Sequence, residues 1–374
     1  MADVTLTYKG STIAEINASG SKTLKTAGKY CEGDIGVSYV KPSGGGSGVE
    51  IPDSAFVISG NCNNFDFKGK WDSFITAYAD KWSTQNISSC SNMFNGTNLQ
   101  SIPFDINLEA GTELAATDMF GETALTTLPV INGENIVIYY INSLFSGSKK
   151  LRNISDNYLN AESIASYSNI SNMFTNCFSL RNFPAFASKF ATLFNSRYNA
   201  SLYHMMCYSC RVLDKITNLG VSTLPTWTSN AFAQTVDYCH RLKDFTFESG
   251  KTANWKSQTI DLSTAGYGLY DVDALPAGIT CQKKVIDNET YQSLKNDTDW
   301  YTFKAEYSRY NHDSAVATIN SLPDTSAYLA TAGGTNTIKF KGAAGSATDG
   351  GAINTLSEEE IAVATAKGWT VSLA

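Results

Sequence analysis

Charge is scarce in this sequence. Asp, Glu, Lys and Arg make up 17% of its 374 residues, where globular chains ordinarily carry about 25%. The formal net charge is −7 and no stretch gathers five basic residues, so neither nucleic acid nor an anionic membrane surface is an expected partner. Long apolar runs are missing as well. The longest, Ile136-Val137-Ile138-Tyr139-Tyr140-Ile141, falls far short of the roughly 20 residues of a membrane helix, so no membrane insertion is expected. The opening Met1-Ala2-Asp3-Val4-Thr5 has no basic segment leading into an apolar core, which predicts a chain made in a cytoplasm without an export signal.

Catalytic machinery is equally sparse. There are three histidines, His204, His240 and His312, and neither a Gly-x-Ser-x-Gly elbow nor a His-Glu-x-x-His run to hold a nucleophile or a catalytic metal. The one acidic cluster, Glu358 to Glu360, follows Ser357 in the pattern of a capping box. Gly266-Tyr267-Gly268 lacks the third glycine of a dinucleotide loop, since Tyr270 and Asp271 follow. The expectation is a binding protein, not an enzyme, with no cofactor. Eight cysteines in a chain of this length are too few for a disulfide scaffold.

What the sequence has in place of charge is Ser, Thr, Asn and Tyr, with 19 Tyr and 6 Trp. It also has self-similarity. Met93-Phe94-Asn95-Gly96-Thr97-Asn98-Leu99 is followed by Ile102-Pro103. The block returns from Met119-Phe120 with Leu125, from Leu144-Phe145 with Leu151, and from Met173-Phe174 with Leu180. Weaker copies run from Met206-Cys207 with Leu213 and around Val236 with Leu242. Phe94, Phe120, Phe145, Phe174, Cys207 and Val236 lie 26, 25, 29, 33 and 29 residues apart, a solenoid period. No single copy can bury its own apolar side, so stacked neighbours must share one core. Each copy reads as a short helix ending at the Met-Phe pair, a turn, and a short strand holding the leucine. The expected repeat core is therefore Phe94, Leu99, Phe120, Leu125, Phe145, Leu151, Phe174, Leu180, Leu213 and Leu242, with the leucines in one parallel stack of strands.

Three residues after the Phe position stand Thr97, Thr123, Ser148, Cys177, Cys210 and Cys239, which predicts an internal ladder of small, weakly polar side chains. The same register decides the metal question. His204-x-x-Cys207-x-x-Cys210 with Cys239-His240 could supply tetrahedral zinc ligands, but Cys207 holds the inward Phe position and Cys210 and Cys239 hold the ladder. Buried free thiols, and no metal, are expected.

Around the repeats, residues 1–42 read as a small all-β module and 43–48 as a Gly/Ser linker. Residues 49–84 read as an N-terminal cap, 85–264 as the repeats, and 265–374 as an irregular segment followed by helix-strand repeats. In that last segment a helix carries Val316 and Ile319 and a strand carries Ile338 and Phe340. A helix opening at the Ser357 box stops at Gly368, and a strand carries Trp369, Val371 and Leu373. Ile338 and Val371 are 33 residues apart, again one period. Aromatics between repeats, Tyr139, Tyr140, Tyr158, Tyr167, Tyr198, Tyr203, Trp227 and Trp255, are the candidate ligand-binding residues, because loops and aromatic side chains dominate recognition.

The Ser-Asn-Met-Phe blocks at 91–103 and 171–184 resemble the BspA-like leucine-rich repeats of bacterial surface proteins, over roughly residues 85–250. The resemblance implies an α/β solenoid, a leucine-rich-repeat-like array of short helix-turn-strand units. The C-terminal Leu-Ser-Glu-Glu-Glu-Ile run is similar to repeat proteins of gut bacteria and their phages. Residues 4–42 resemble short β modules of phage tail and other virion proteins. With no export signal expected, these resemblances imply a phage virion protein, in a tail fibre or tail tip. It would be anchored to other virion subunits through residues 1–42, form a homo-oligomer (a trimer in preference), and bind a host cell-surface glycan or protein through the array. An exported adhesin on a bacterial cell surface and a structural virion decoration are the alternatives.

Overall fold

The computed structural model describes residues 4–8, 11–16, 22–24, 56–63, 72, 75, 82–159, 161–193, 203–221, 231–239, 241–266, 310–340 and 356–373. The chain divides into two compact units, residues 1–148 with 158–163 and residues 149–157 with 164–374.

In the first unit, β1 (Val4–Tyr8), β2 (Ser11–Ile16) and β3 (Lys22–Leu24) form an antiparallel set. This set does not stand apart as a linked module. β1 pairs antiparallel along its whole length with β4 (Phe56–Asn61), Val4 opposite Gly60 and Tyr8 opposite Phe56. β4 in turn pairs parallel with β5 (Trp82–Ser89). The physical reason is the edge of β4: left bare, it would present unpaired N–H and C=O groups, and the N-terminal strands cover it. The expected linker at 43–48, and most of the cap drawn from Phe65, Phe67, Trp71, Phe74 and Tyr78, lie outside the described residues.

Beyond β5 come β6 (Ile106–Asn107), β7 (Glu113–Ala115), β8 (Ile131–Asn132) and β9 (Val137–Tyr140). β6 pairs parallel with β8 and β7 parallel with β9. Among the described residues no helix leads into these pairs: strands β5, β7 and β9 lead directly into a tight turn at 91–96, 117–122 and 142–147. Dihedral angles give the cause. Two residues before the Phe position stand Asn92 (φ 57°), Asp118 (51°), Ser143 (58°), Asn172 (59°), Met205 (50°) and Gln234 (55°). Two residues after it stand Gly96 (67°), Glu122 (54°), Gly147 (75°), Asn176 (60°), Ser209 (61°) and Tyr238 (62°). A left-handed residue at each end of a five-residue span cannot belong to a right-handed helix. It folds the chain into a corner from which alternate N–H groups point to the neighbouring copy.

In four of these copies those N–H groups make the same bonds. The N–H of Phe94 donates to Met119 O, that of Asn92 to Thr117 O and that of Gly96 to Gly121 O. The same three bonds join Asp118, Phe120 and Glu122 to Asn142, Leu144 and Ser146. In the second unit they join Asn172, Phe174 and Asn176 to His204, Met206 and Tyr208, and Met205, Cys207 and Ser209 to Ala233, Thr235 and Asp237. Inside the first unit the rings of Phe94, Phe120 and Phe145 stack at 5.7 Å spacing, tilted by 1° and 5°.

The leucines of the expected core precede the strands. Leu213 and Leu242 lie two residues ahead of β11 (Lys215–Leu219) and β12 (Asp244–Phe247), and Leu99 and Leu125 lie outside any strand, well before β6 and β8. Leu125, Leu151, Leu180, Leu213 and Leu242 are fully buried, whereas Leu99 is half-buried. The inward strand positions belong to Ile106, Ile216 and Phe245.

The ladder position is small for a reason. Thr97, Thr123, Ser148, Cys177, Cys210 and Cys239 are all buried. Ser148 Oγ donates to Phe120 O, Cys210 Sγ to Phe174 O at 2.9 Å, and Cys239 Sγ to Cys207 O at 3.0 Å. Each is a compact donor that reaches the carbonyl at the Phe position of the preceding copy. Burial, above all, pushes the thiols of Cys210 and Cys239 well above their ordinary value and that of Cys90 up to about 12. The thiolate is the reactive form, so Cys210 and Cys239 should resist iodoacetamide at pH 8 in the native chain and react in guanidinium. Native labelling at the rate of an open thiol, read peptide by peptide by mass spectrometry, would contradict the ladder.

The second unit opens with β10 (Ser163–Asn169), α1 (Ala185–Ser188) and a 3-10 turn at Phe190–Leu193, and continues through β11 and β12, which pair parallel. It ends with β13 (Thr259–Asp261), α2 (His312–Ser321), α3 (Ser326–Ala332), β14 (Asn336–Phe340), α4 (Glu358–Ala366) and β15 (Trp369–Leu373). β13, β14 and β15 form a parallel sheet in which Ile338 pairs with Val371, the register read from the 33-residue spacing. The predicted capping box is present, Ser357 Oγ accepting from Glu360 N–H and Glu360 Oε2 accepting from Ser357 N–H.

The same Glu360 carboxylate lies 3.2 Å from Nε2 of His312, the first residue of α2. Partial burial pulls the His312 pKa down, but hydrogen bonds and charge from Glu360 and Asp313 outweigh it and the net shift is upward. A histidine raised above its unfolded value of about 6.5 adds stability below that pH and loses it as pH climbs through the folded pKa. Glu360→Gln should therefore lower the His312 pKa seen by NMR. An unchanged titration would rule this pair out.

Candidate functional site

Three of the aromatics expected from the sequence to bind a ligand are core. Tyr158 packs edge-on against Phe120 and Phe145 in the first unit. In the second, Tyr203 is 1% exposed and stacks on Phe232 at 5.3 Å, and Trp255 is fully buried among Phe232, Phe247 and Trp369. Burial pushes the phenols of Tyr158 and Tyr203 up. All three are buried among neighbouring rings and do not face solvent. Tyr167 lies within β10, and Tyr198 and Trp227 fall outside the described residues.

Tyr139 and Tyr140 remain partly exposed, on β9 and not in a loop. Pairing with β7 runs Leu114–Ile138 and then Ala115–Tyr140, so Tyr139 is the extra residue of a bulge. Successive strand residues normally face opposite ways, and a bulge re-aims one of them. The two rings thus lie side by side, centroids 4.1 Å apart and hydroxyls at 3.5 Å.

The second unit uses the same device to build a groove of about 590 Å³. β11 pairs with β12 at Lys215–Asp244 and Ile216–Phe245, and the register then slips so that Leu219 meets Phe247. Within the slip, Asn218 is left-handed (φ 55°), and its N–H is taken by Thr246 Oγ1 at 3.2 Å. As a result Thr217 and Asn218, neighbours in sequence, both line the groove beside Lys215.

The opposite wall is α1 with the 3-10 turn after it, bringing Ser188, Lys189 and Thr192. Asp156 holds the start of α1, its Oδ1 accepting from Ala185 N–H at 2.9 Å and its backbone oxygen from Phe186 N–H. Gly220 holds the end, its N–H donating to Ser188 O at 2.6 Å. A Cβ at Gly220 would stand 2.6 Å from that same oxygen, so only glycine allows so close an approach. Phe183 adds an apolar patch and leans edge-on against Phe174 at 5.7 Å. Asn182 donates from Nδ2 to Ile154 O at 3.1 Å, while its shielded Oδ1 receives no donor. Glu248 completes the lining, its Oε2 3.9 Å from Lys251 Nζ and without a hydrogen-bond donor.

The binding candidates drawn from the sequence include none of the groove residues. One local signal pointed there: Asn218 and Gly220 sit inside an otherwise strand-like stretch, a pattern that marks bulges and close backbone approaches. Two carboxyls elsewhere are pushed up, Asp118 by burial and then by Glu122, and Asp237 by burial and then by Asp261. Both stand at the turn corners, and neither lines the groove. Among the described residues no group of three or more His, Cys, Asp or Glu side chains is placed to hold a metal ion, and no helix is long and apolar enough to cross a membrane. His240 lies outside those residues.

No family model, curated protein or solved structure matches this chain.

Proposed function

We propose that this chain is a leucine-rich-repeat-like α/β solenoid carried on a phage virion, in a tail fibre or tail tip, and that it binds a receptor on the host cell surface without catalysing a reaction. Three things support the reading: the Ser-Asn-Met-Phe resemblance, the six corner turns with matching left-handed positions, and the preformed groove. The groove carries most weight. Two carboxylates and two lysines line it together with hydroxyl and amide groups, a composition suited to recognition. Residues 1–42 are proposed to contact other virion subunits or copies of this chain, a trimer in preference, through the outer side of the β3–β2–β1 set.

The full chain, purified and added before phage, should bind candidate gut-bacterial hosts saturably and block infection. Absence of binding to every host the phage infects would leave structural decoration as the better reading. The BspA-like resemblance also favours an exported bacterial adhesin. An antibody against the chain separates the two, labelling virions under the first reading and uninfected bacteria under the second.

A further inference from the structure

Taken on the attachment reading above, the groove has a chemistry of its own. We infer that it binds a neutral, hydroxyl-rich ligand: a short oligosaccharide stretch of a surface glycan.

Size comes first. About 590 Å³ lies within the ~300–1,000 Å³ of small-ligand sites. Charge comes second. Asp156 and Glu248 balance Lys189 and Lys215, so no net field favours an ionic ligand. The one helix start at the groove is no anion site either, because the Asp156 carboxylate already accepts its first free N–H.

Hydrogen-bonding character comes third. A sugar hydroxyl donates and accepts at once, so its site needs both kinds of group. Lys215 and the Asn218 amide can donate; Glu248, Thr217 and the Asn218 carbonyl can accept. Phe183 offers an apolar surface for the C–H side of a sugar ring. Finally, the groove is pre-organised. The Asn218 bulge and the Gly220–Ser188 contact fix its two sides before any ligand arrives, which limits the ordering cost of binding.

The test uses the full chain on an array of neutral hexose and N-acetylhexosamine oligosaccharides alongside acidic ones, with affinities then measured by calorimetry. Asn218→Gly keeps the left-handed backbone, which glycine adopts freely, and removes the amide. It should weaken binding of the best neutral oligosaccharide about five- to tenfold, the effect of one or two hydrogen bonds, with an unchanged melting temperature. Thr217→Trp, which fills the groove, should abolish binding. Native affinity in both variants would overturn the inference. So would binding of acidic glycans alone. If the chain adsorbs to host cells but binds no neutral oligosaccharide, the groove inference falls and attachment stands. If it binds one through the groove yet adsorbs to no host, attachment falls and the inference stands.

Discussion

Phe120→Ala is expected to cost about 3–5 kcal/mol of stability, the range for removing a buried aromatic ring. Phe120 is fully buried between Phe94 and Phe145, parallel to both at 5.7 Å, with Tyr158 packed against its edge. Truncation opens a cavity that two flanking copies share, and neither can close it without breaking the bonds from Phe94 N–H to Met119 O and from Phe120 N–H to Leu144 O. The loss should therefore spread along the first unit, since each copy is stable only on its neighbours. Phe120→Leu, which keeps most of the volume, should cost distinctly less. Denaturant unfolding followed by circular dichroism reads both variants. A cost below about 1 kcal/mol for Phe120→Ala would mean that the ring is not part of a stack.

Trp255→Ala should be as damaging, again about 3–5 kcal/mol, and it separates scaffold from surface. The indole is fully buried, edge-on to Phe232 at 5.1 Å, Phe247 at 5.7 Å and Trp369 at 6.3 Å. Its backbone oxygen accepts from Asn336 Nδ2, a buried amide that also accepts from Gln258 N–H and so ties β13 to β14. Removing the ring should lower the unfolding midpoint sharply while the folded fraction keeps its affinity for host cells. A ligand-contacting tryptophan would behave in reverse, with affinity lost and stability kept. Measuring both quantities on one preparation decides between these roles.

These two residues show where sequence reasoning reaches and where it stops. Local rules with strong preferences are legible. Ser357 and Glu360 mark the capping box, Gly368 the helix stop, and the Ile338–Val371 spacing the strand register. The Thr/Ser/Cys ladder is legible because its donors are similar in size and chemistry. The corner turn is half visible: Asn92, Asn172, Gly96 and Gly147 favour left-handed backbone, but Met205, Gln234, Glu122 and Tyr238 do not. At Met205 and Glu122 a bond to the next copy holds the dihedral against local preference, and the stretch reads as a helix. Trp255 and Tyr203 look like surface aromatics in the sequence, because their burial depends on Phe232 and Trp369, distant in the chain. The groove is least legible, since its bulge arises from the register between Ile216 and Phe245, 29 residues apart.

Residue-resolved amide hydrogen exchange tests the stacked-turn architecture most directly. Exchange slows where an N–H is held by a stable bond. The corner ladder predicts protection at Asn92, Phe94 and Gly96, then at Asp118, Phe120 and Glu122, and in the second unit at Asn172, Phe174 and Asn176, all bonded to the next copy. Open-chain exchange at Phe94, Phe120 and Phe174 would contradict it.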